Sequence, residues 1–365
     1  MKIAHVVDSM EVGGAETLVS QMCCLQREQG HDPSIFAVAT LGLLGEKMRA
    51  LGFAVHANVG RHLPDSARNF FHFFKELQPD VVHLHNQTPT IYASTAARIA
   101  GVPSIISTRH NLAAPPRRVV AELKYTFAAL FCDWVVGICD ATADNLRKIP
   151  SAPARKITRV YNGAVALVRV PQVQQPHDTE FTLVFVGRLA PVKNLPLLLA
   201  AFHEALSSIP GLRLWIVGDG GERKALESLA AELGIAAQVT FWGQQLDVAP
   251  FFSAAGAFIM SSKSEGLPVS LLQALSVGLP VIVTDVGGMA EVVRLAKAGL
   301  TVSPADPSEM ASAIVRIAGN AAERERFSKN AEAAFQARFT LETMVEAYME
   351  LYRNTVRVRR AAKDF

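Results

Sequence analysis

Short runs of apolar, β-branched residues alternate with longer amphipathic stretches along the whole chain. Six such runs in the first half predict β-strands: Ile3–Val7, Ser34–Ala39, Val81–Leu84, Ser104–Ser107, Trp134–Ile138 and Ile157–Tyr161. Six more in the second half do the same: Thr182–Val186, Arg213–Val217, Gln238–Trp242, Gly256–Met260, Val281–Thr284 and Gly299–Val302. Strands separated by helices form parallel sheets covered on both faces. The pattern therefore predicts an α/β protein with two doubly wound domains.

The two sets of strands are separated by a stretch rich in Pro and Gln, Ala164 to Glu180, which has no sustained periodicity. We predict a first domain at 1–168, a linker at 169–180, a second domain at 181–340 and a C-terminal segment at 341–365 that returns to the first domain. That last segment has Met344, Tyr348, Leu351 and Tyr352 at helical spacing. Because ligands bind at the carboxyl ends of parallel strands, we expect a site in a cleft between two facing sheets.

Length, charge and cysteines narrow the class of protein. The 365 residues suit two domains, and a net charge of +3 is too small to indicate nucleic-acid binding. No apolar run reaches the ~18 residues of a transmembrane helix, and the apolar N-terminal run is too short for a signal peptide. None of the four cysteines forms a CxxC pair, which predicts reduced thiols and a cytoplasmic location.

A basic amphipathic helix is predicted between Arg117 and Phe131. Arg117, Arg118 and Lys124 would suit peripheral contact with an anionic membrane. An ordinary helix packed by its apolar face is the favoured interpretation.

The segment from Ser261 to Val293 carries the strongest chemical signal. Glu265 precedes a predicted helix, and Gln273 lies eight residues after Glu265. A carboxylate before a helix and an amide two turns later can face one ligand, and their hydrogen-bonding groups suit a ligand with several hydroxyls.

Two glycine-containing loops follow predicted strands. Gly13 and Gly14 lie between the first strand and a helix, where backbone can approach a phosphate or sugar, although a structural turn explains such a pair equally well. Gly187 begins a loop with Arg188 and Lys193, whose two cations could clamp a diphosphate. An ordinary solvated basic loop is the alternative.

Other polar residues at strand ends suggest no metal site. Asp219, beside Gly218, is interpreted as a turn residue. His83 and His85 share one face of a strand, but no third ligand has a recognisable spacing, so zinc is not expected. A histidine at a strand end is better suited to positioning a hydroxyl, and a hydrogen-bonded structural role is favoured for His83.

Taken together and in order, these motifs resemble the retaining glycosyltransferases of the GT-B fold, specifically glycosyltransferase family 4. They are HVVDSMEVGGAE, VHLHN, STRHN, VYNGAV, FVGRLAPVKN, IVGDG, FWGQ and SEGLPVSLLQALSVGLPVIVTDVGGMAEVV. The resemblance implies two Rossmann-like domains facing across a cleft. It also implies a nucleotide-sugar donor, with a UDP-sugar favoured, and a saccharide or lipid-linked acceptor of cell-surface or extracellular polysaccharide synthesis. No metal or other cofactor is expected.

The resemblance also implies roles for individual residues. Arg188 and Lys193 would hold the diphosphate, Glu265 would bond hydroxyls of the donor sugar, and His110 would contact that sugar near the reacting carbon. The other implied donor-binding residues are Gly13, Gly14, Gly187, Gly218, Trp242, Gly243, Gly266, Leu267 and Gln273.

Gln273 departs from the family pattern. The family usually has Glu there, which accepts hydrogen bonds from both ribose hydroxyls, and replacing that charge by an amide costs on the order of 1 kcal/mol. A second hypothesis is therefore a nucleotide-sugar-binding protein with weakened or lost catalysis. A nicotinamide-dependent oxidoreductase is disfavoured because the first loop has no GxGxxG fingerprint.

Overall fold

The chain divides into two compact units in a computed structural model. The first comprises Met1–Gly163 with Leu341–Phe365, and the second comprises Ala164–Thr340. The structure describes residues 1–11, 13–57, 63–112, 119–148, 152–170 and 180–361.

The stretch that follows Gly163 is bonded to the second unit. The backbone N–H of Ala164 donates to the carbonyl of Phe339 at 2.9 Å, and that of Leu167 donates to Ser276 Oγ at 3.1 Å. The boundary therefore falls at 163/164, earlier than the one drawn at 168 from the sequence. Most of the predicted linker, 171–179, lies outside the described residues.

The described strands form two parallel sheets. The first contains β1 (Lys2–Val7), β2 (Asp32–Ala37), β3 (Ala54–Ala57), β4 (Val81–His85), β5 (Ser104–Arg109), β6 (Trp134–Gly137) and β7 (Ile157–Arg159). The second contains β8 (Phe181–Val186), β9 (Leu212–Val217), β10 (Val239–Gly243), β11 (Ala257–Met260), β12 (Val281–Thr284) and β13 (Gly299–Val302). All twelve predicted strands are present, and β3 is additional.

Helices follow most strands. They are α1 (Gly14–Glu28), α2 (Gly42–Ala50), α3 (Leu63–Leu77), α4 (Gln87–Ala100), α5 (Val119–Ala129), α6 (Asp140–Lys148), α7 (Leu195–Leu206), α8 (Arg223–Glu232), α9 (Ala249–Ala254), α10 (Val269–Ser276), α11 (Gly287–Ala296), α12 (Pro307–Gly319), α13 (Ala321–Arg338) and α14 (Leu341–Ala361). None of the described helices is long and apolar enough to cross a membrane.

Both sheets reverse their strand order beside their first strand. The orders are β3-β2-β1-β4-β5-β6-β7 and β10-β9-β8-β11-β12-β13. In the first sheet β1 pairs in parallel with β2 on one side and β4 on the other, and β8 pairs likewise with β9 and β11. Loops diverge at such a switch point, which is where doubly wound sheets bind ligands. The predicted doubly wound α/β architecture is confirmed.

The C-terminal helix α14 completes the core of the first unit. Its Met344, Tyr348 and Tyr352 are buried in one cluster with Ile3 of β1 and Val81 of β4. The helix at the C-terminal end of the chain therefore covers strands that lie in its N-terminal part.

The apolar face of α5 is exposed, contrary to the favoured interpretation of a packed helix. Four apolar side chains of α5 and that of Leu130, the residue after the helix, are 49–67% exposed. The four are Val119, Val120, Leu123 and Phe127. The helix packs instead through Tyr125, Ala128 and Ala129, which are buried, and Glu122 pairs with Arg109 at 3.1 Å. Arg117 and Arg118 lie outside the described residues.

Candidate functional site

An ion pair occupies the switch point of the second sheet. Lys193 follows β8 and Glu265 follows β11, and Lys193 Nζ lies 2.6 Å from Glu265 Oε1. The two side chains are only 16% and 13% exposed. Two residues that the sequence predicts for separate parts of a ligand are thus in direct contact.

Backbone contacts hold the two loops of this ion pair together. Ser261 Oγ donates to the carbonyl of Lys193 at 2.9 Å, and the N–H of Lys263 donates to the carbonyl of Val192 at 2.8 Å. The ammonium and the carboxylate are therefore placed by a connected loop framework.

One of the predicted donor-binding glycines, Gly218, has a structural explanation. Gly218 has φ +135°, and a Cβ there would lie 2.0 Å from the carbonyl oxygen of Gly187. The N–H of Gly187 donates to Val217 O at 2.9 Å, and the N–H of Gly218 donates to Gly243 O at 2.8 Å. Glycine is required at Gly218 because the loops after β8 and β9 approach through their backbones.

Arg188 is exposed beside this framework. Among the residues that the structure describes, it has no ion-pair partner, unlike Lys193. Its guanidinium is free to bind an anion. Trp242, 39% exposed, packs edge-on against Trp215 and Phe251 at the end of β10, which leaves part of its ring open.

The segment around α10 is arranged as the sequence predicts. Glu265 precedes the helix, which begins at Val269, and Gln273 lies within it and is half-buried. Leu267 is buried, and the carbonyl of Gly266 accepts a bond from the N–H of Gly288 at 2.8 Å.

Asp219 is engaged in local contacts, as its interpretation as a turn residue implies. It accepts from the N–H of Gly220 at 2.7 Å and pairs with Arg223 at 3.1 Å. These bonds lower the pKa of its carboxyl.

A cluster of histidines lies at the switch point of the first sheet. His5 of β1 is aligned with His83 of β4, and His85 ends β4. His110 follows β5, and Asn86, at φ +74°, accepts from its backbone N–H at 3.0 Å. All four imidazoles are buried.

Hydrogen bonds use every ring nitrogen of the three inner histidines. His5 bonds Gln26 at 2.8 Å and His85 at 3.1 Å, and His85 bonds His110 at 3.2 Å. His83 bonds the hydroxyls of Tyr352 at 2.6 Å and Thr108 at 2.7 Å.

His5, His83 and His85 place ligand atoms within 4.8 Å of one another. A metal would have to displace hydrogen bonds that already satisfy these rings, so the geometry favours a hydrogen-bonded cluster. His83 thus has the structural role predicted for it.

The sequence prediction missed His5 and Gln26. The signal for His5 was the parallel register of β1 with β4, which brings His5 opposite His83. Gln26 had no local signal, because it lies on α1 and reaches the cluster only through the tertiary fold. Of the predicted loop glycines, Gly13 is the N-cap of α1, and a Cβ at Gly14 would have no neighbouring atom within 4 Å.

Comparisons with known proteins agree with this architecture. The family model "Glycosyltransferase Family 4" matches residues 12–166, and "Glycosyl transferases group 1" matches 169–334. A D-inositol 3-phosphate glycosyltransferase of Acidothermus cellulolyticus is 31% identical over 78% of this chain and 69% of its own length.

The chain belongs to glycosyltransferase family 4. Another relative is the lipopolysaccharide core biosynthesis glycosyltransferase LpsE of Rhizobium meliloti, 32% identical over 52% of this chain. That match spans only about half, 54%, of LpsE.

This family member also has the GT-B fold, as predicted. The crystal structure of Anabaena Alr3699/HepE in complex with UDP superposes with a TM-score of 0.83 and 20% identity, covering 97% of this chain and 100% of that one. Sucrose-phosphate synthase from Thermosynechococcus elongatus superposes with a TM-score of 0.80 and 22% identity. The superposition covers 97% of this chain and 98% of that one.

We expect the first unit of this glycosyltransferase family member to lose stability below pH 6.5. Burial lowers the pKa of His5 and His110 to about 4 and lowers those of His83 and His85 well below their usual range. The unfolded chain therefore takes up protons between pH 6.5 and 4 that the folded unit does not. The free energy of unfolding should fall by about 1.4 kcal/mol per pH unit for each such histidine, and it should be restored above pH 7.

Urea titrations at pH 7, 6 and 5 would measure this in the variant Trp215→Phe/Trp242→Phe, whose remaining Trp134 reports the first unit by its fluorescence. Trp134→Phe leaves Trp215 and Trp242, which report the second unit as the control. Equal pH dependence of the two signals would contradict the prediction.

Proposed function

We propose that this protein transfers a sugar from a nucleotide-sugar, a UDP-sugar by preference, to a saccharide or lipid-linked acceptor. The product would belong to cell-surface or extracellular polysaccharide. The observation that carries the proposal is the Lys193–Glu265 pair at the switch point of the second sheet, in the same loop as Arg188, which has no ion-pair partner among the described residues.

The residue types suit cleavage of a glycosyl–phosphate bond. Negative charge develops on the leaving diphosphate, and fixed cations lower the barrier where that charge appears. Arg188 offers a bidentate guanidinium. Lys193 offers three N–H donors, so it can stay hydrogen-bonded to Glu265 through one and bind a phosphate oxygen through another.

Glu265 has acceptor capacity left after its bond to Lys193. A carboxylate has about four lone-pair sites, which suit hydroxyls of the donor sugar. This arrangement couples sugar binding to diphosphate binding, because one ammonium would bond both the diphosphate and Glu265, the residue that holds the sugar. In the proposed reaction the acceptor attacks the sugar on the face from which the phosphate leaves, and the leaving phosphate takes the acceptor's proton. The anomeric configuration is therefore retained. Arg188 and Lys193 would stabilise the diphosphate without a metal.

The relatives support this choice of substrates. HepE is described in complex with UDP, and LpsE is named for lipopolysaccharide core biosynthesis. We propose by analogy a uridine donor and a cell-surface acceptor. The roles that the resemblance gives to His110, at the donor sugar, and to Gly14, at its phosphates, stay predictions.

We expect Arg188→Ala to lower kcat/KM for the donor by on the order of 100-fold or more, because the guanidinium acts where charge develops. The assay would measure nucleoside diphosphate release from a panel of nucleotide-sugars, with EDTA present. Product NMR would report the anomeric configuration. Arg326→Ala, which removes an exposed guanidinium on α13, is the matched control. If no donor is turned over, or if the two variants behave alike, the proposal fails.

The second candidate function, a nucleotide-sugar-binding protein with lost catalysis, rests on Gln273. We expect Gln273→Glu to lower the donor KM about five- to tenfold and to leave kcat within about twofold, because the gain is one charge-assisted contact to ribose. Steady-state kinetics of the two proteins measure this. A wild-type protein without turnover that becomes active on Gln273→Glu would favour the second function.

We also propose that the exposed apolar face of α5 rests on an anionic membrane. Leu123 and Phe127 are 64% and 62% exposed, and Lys124 lies between them in the sequence. Apolar side chains flanked by cations are typical of interfacial helices, and a lipid-linked acceptor would be reached from that surface.

We expect Leu123→Ser/Phe127→Ser to weaken binding to phosphatidylglycerol-containing liposomes by about tenfold or more, because each apolar side chain contributes to insertion. Flotation measures the bound fraction. Leu43→Ser, which alters an equally exposed leucine on α2, should bind as wild type. Absence of wild-type flotation would remove this proposal and leave the transfer reaction untouched.

A further inference from the structure

The histidine cluster contains an unbranched chain of hydrogen bonds that ends at His110. Gln26 Oε1 lies 2.8 Å from His5 Nε2. His5 Nδ1 lies 3.1 Å from His85 Nε2, and His85 Nδ1 lies 3.2 Å from His110 Nε2. Each ring uses its Nε2 towards Gln26 and its Nδ1 away from it. Among the described residues, no side chain bonds Nδ1 of His110.

The first group in this chain decides where every proton lies. A neutral imidazole has one N–H donor and one acceptor nitrogen, and an amide oxygen only accepts. His5 therefore carries its proton on Nε2 and accepts through Nδ1. His85 must donate from Nε2 to His5, and His110 must donate from Nε2 to His85.

The surroundings of Gln26 orient its amide. The side chain is fully buried, and its Nε2 donates towards Met349 Sδ of α14 at 4.0 Å. A flipped amide would set its oxygen against the thioether sulfur, another acceptor, and its N–H₂ group against His5 Nε2. That flip would reverse the proton on all three rings.

We propose that Gln26 is a positioning residue that holds His110 as the Nε2–H tautomer, so that Nδ1 of His110 accepts a hydrogen bond from a ligand hydroxyl. A neutral acceptor nitrogen suits a hydroxyl and repels phosphate oxygens. The choice of a sugar hydroxyl as the ligand group rests on the proposed function, whereas the tautomer does not.

Nitrogen NMR of protein labelled with ¹⁵N-histidine at pH 7 tests the tautomer directly. We expect the Nε2–H pattern for His110, with the signal assigned by its loss in His110→Gln. Gln26→Met removes the amide oxygen at similar volume and should convert His110 to a mixture of tautomers. Gln26→Glu keeps an acceptor oxygen and should restore the Nε2–H pattern. Gln29→Met, at an exposed position just after α1, should match wild type.

Several results would overturn this assignment. They are an Nδ1–H or doubly protonated His110 in the wild type, an unchanged tautomer in folded Gln26→Met, or a stoichiometric metal found by elemental analysis. If Gln26→Met does not fold by circular dichroism, the wild-type spectrum alone decides.

Kinetics add a readout that depends on the proposed function. The donor KM should rise about five- to tenfold in Gln26→Met, as expected for loss of one oriented hydrogen bond, and should recover in Gln26→Glu. An inactive wild type would count against the transferase and leave the NMR result standing. A recovered tautomer without recovered KM would overturn the hydroxyl contact.

Discussion

Parallel pairing of one central strand with neighbours on both sides fixes where the polar clusters of this protein lie. β1 pairs with β2 and β4, and β8 pairs with β9 and β11. The crossover helices on the two sides leave towards opposite faces, so the loops at the carboxyl ends of these strands diverge. In each unit, side chains from distant parts of the sequence converge at this switch point. Lys193 and Glu265 meet at one, and His5 and His85 at the other.

The two units stabilise their buried polar groups by different means. In the second, an ammonium is paired with a carboxylate near the surface. In the first, fully buried imidazoles are kept neutral because an ionised group without a partner is costly in a low-dielectric interior. Neutral rings need complementary donors and acceptors. A chain ordered from one amide meets that need for both nitrogens of His5 and His85, and among the described side chains it leaves only Nδ1 of His110, at its end, without a partner.

The strands were predictable because burial on both faces of a parallel sheet requires continuous apolar runs. β3 was missed because the edge strand Ala54–Ala57 buries only Val55, and His56 interrupts its apolar pattern. The chemical types at the second site were also predictable, since Arg188, Lys193 and Glu265 follow strand ends. Their pairing was not, because it depends on which loops the sheet order brings together.

Tertiary contacts account for the remaining differences. Gly218 lacks a side chain because the backbone of Gly187 approaches it, a contact between two loops that sequence spacing does not reveal. The apolar positions of α5 suggested packing, yet the helix packs through Tyr125 and leaves Leu123 and Phe127 exposed. Helical periodicity shows that one face is apolar, and it leaves open what covers that face.

Charge balance gives Gln273 a physical interpretation beyond weakened ribose binding. At the carboxyl edge of the second sheet, Glu265 neutralises Lys193, and Arg188 remains as the net positive charge of these three side chains. A carboxylate at Gln273 would cancel that excess, whereas the amide preserves it. A leaving diphosphate is stabilised by net positive charge, and ribose is held by neutral hydrogen bonds as well as by charge-assisted ones, although less tightly. Under the proposed function, the amide at position 273 therefore gives up affinity for ribose, and its neutrality leaves the net charge of these three side chains unchanged.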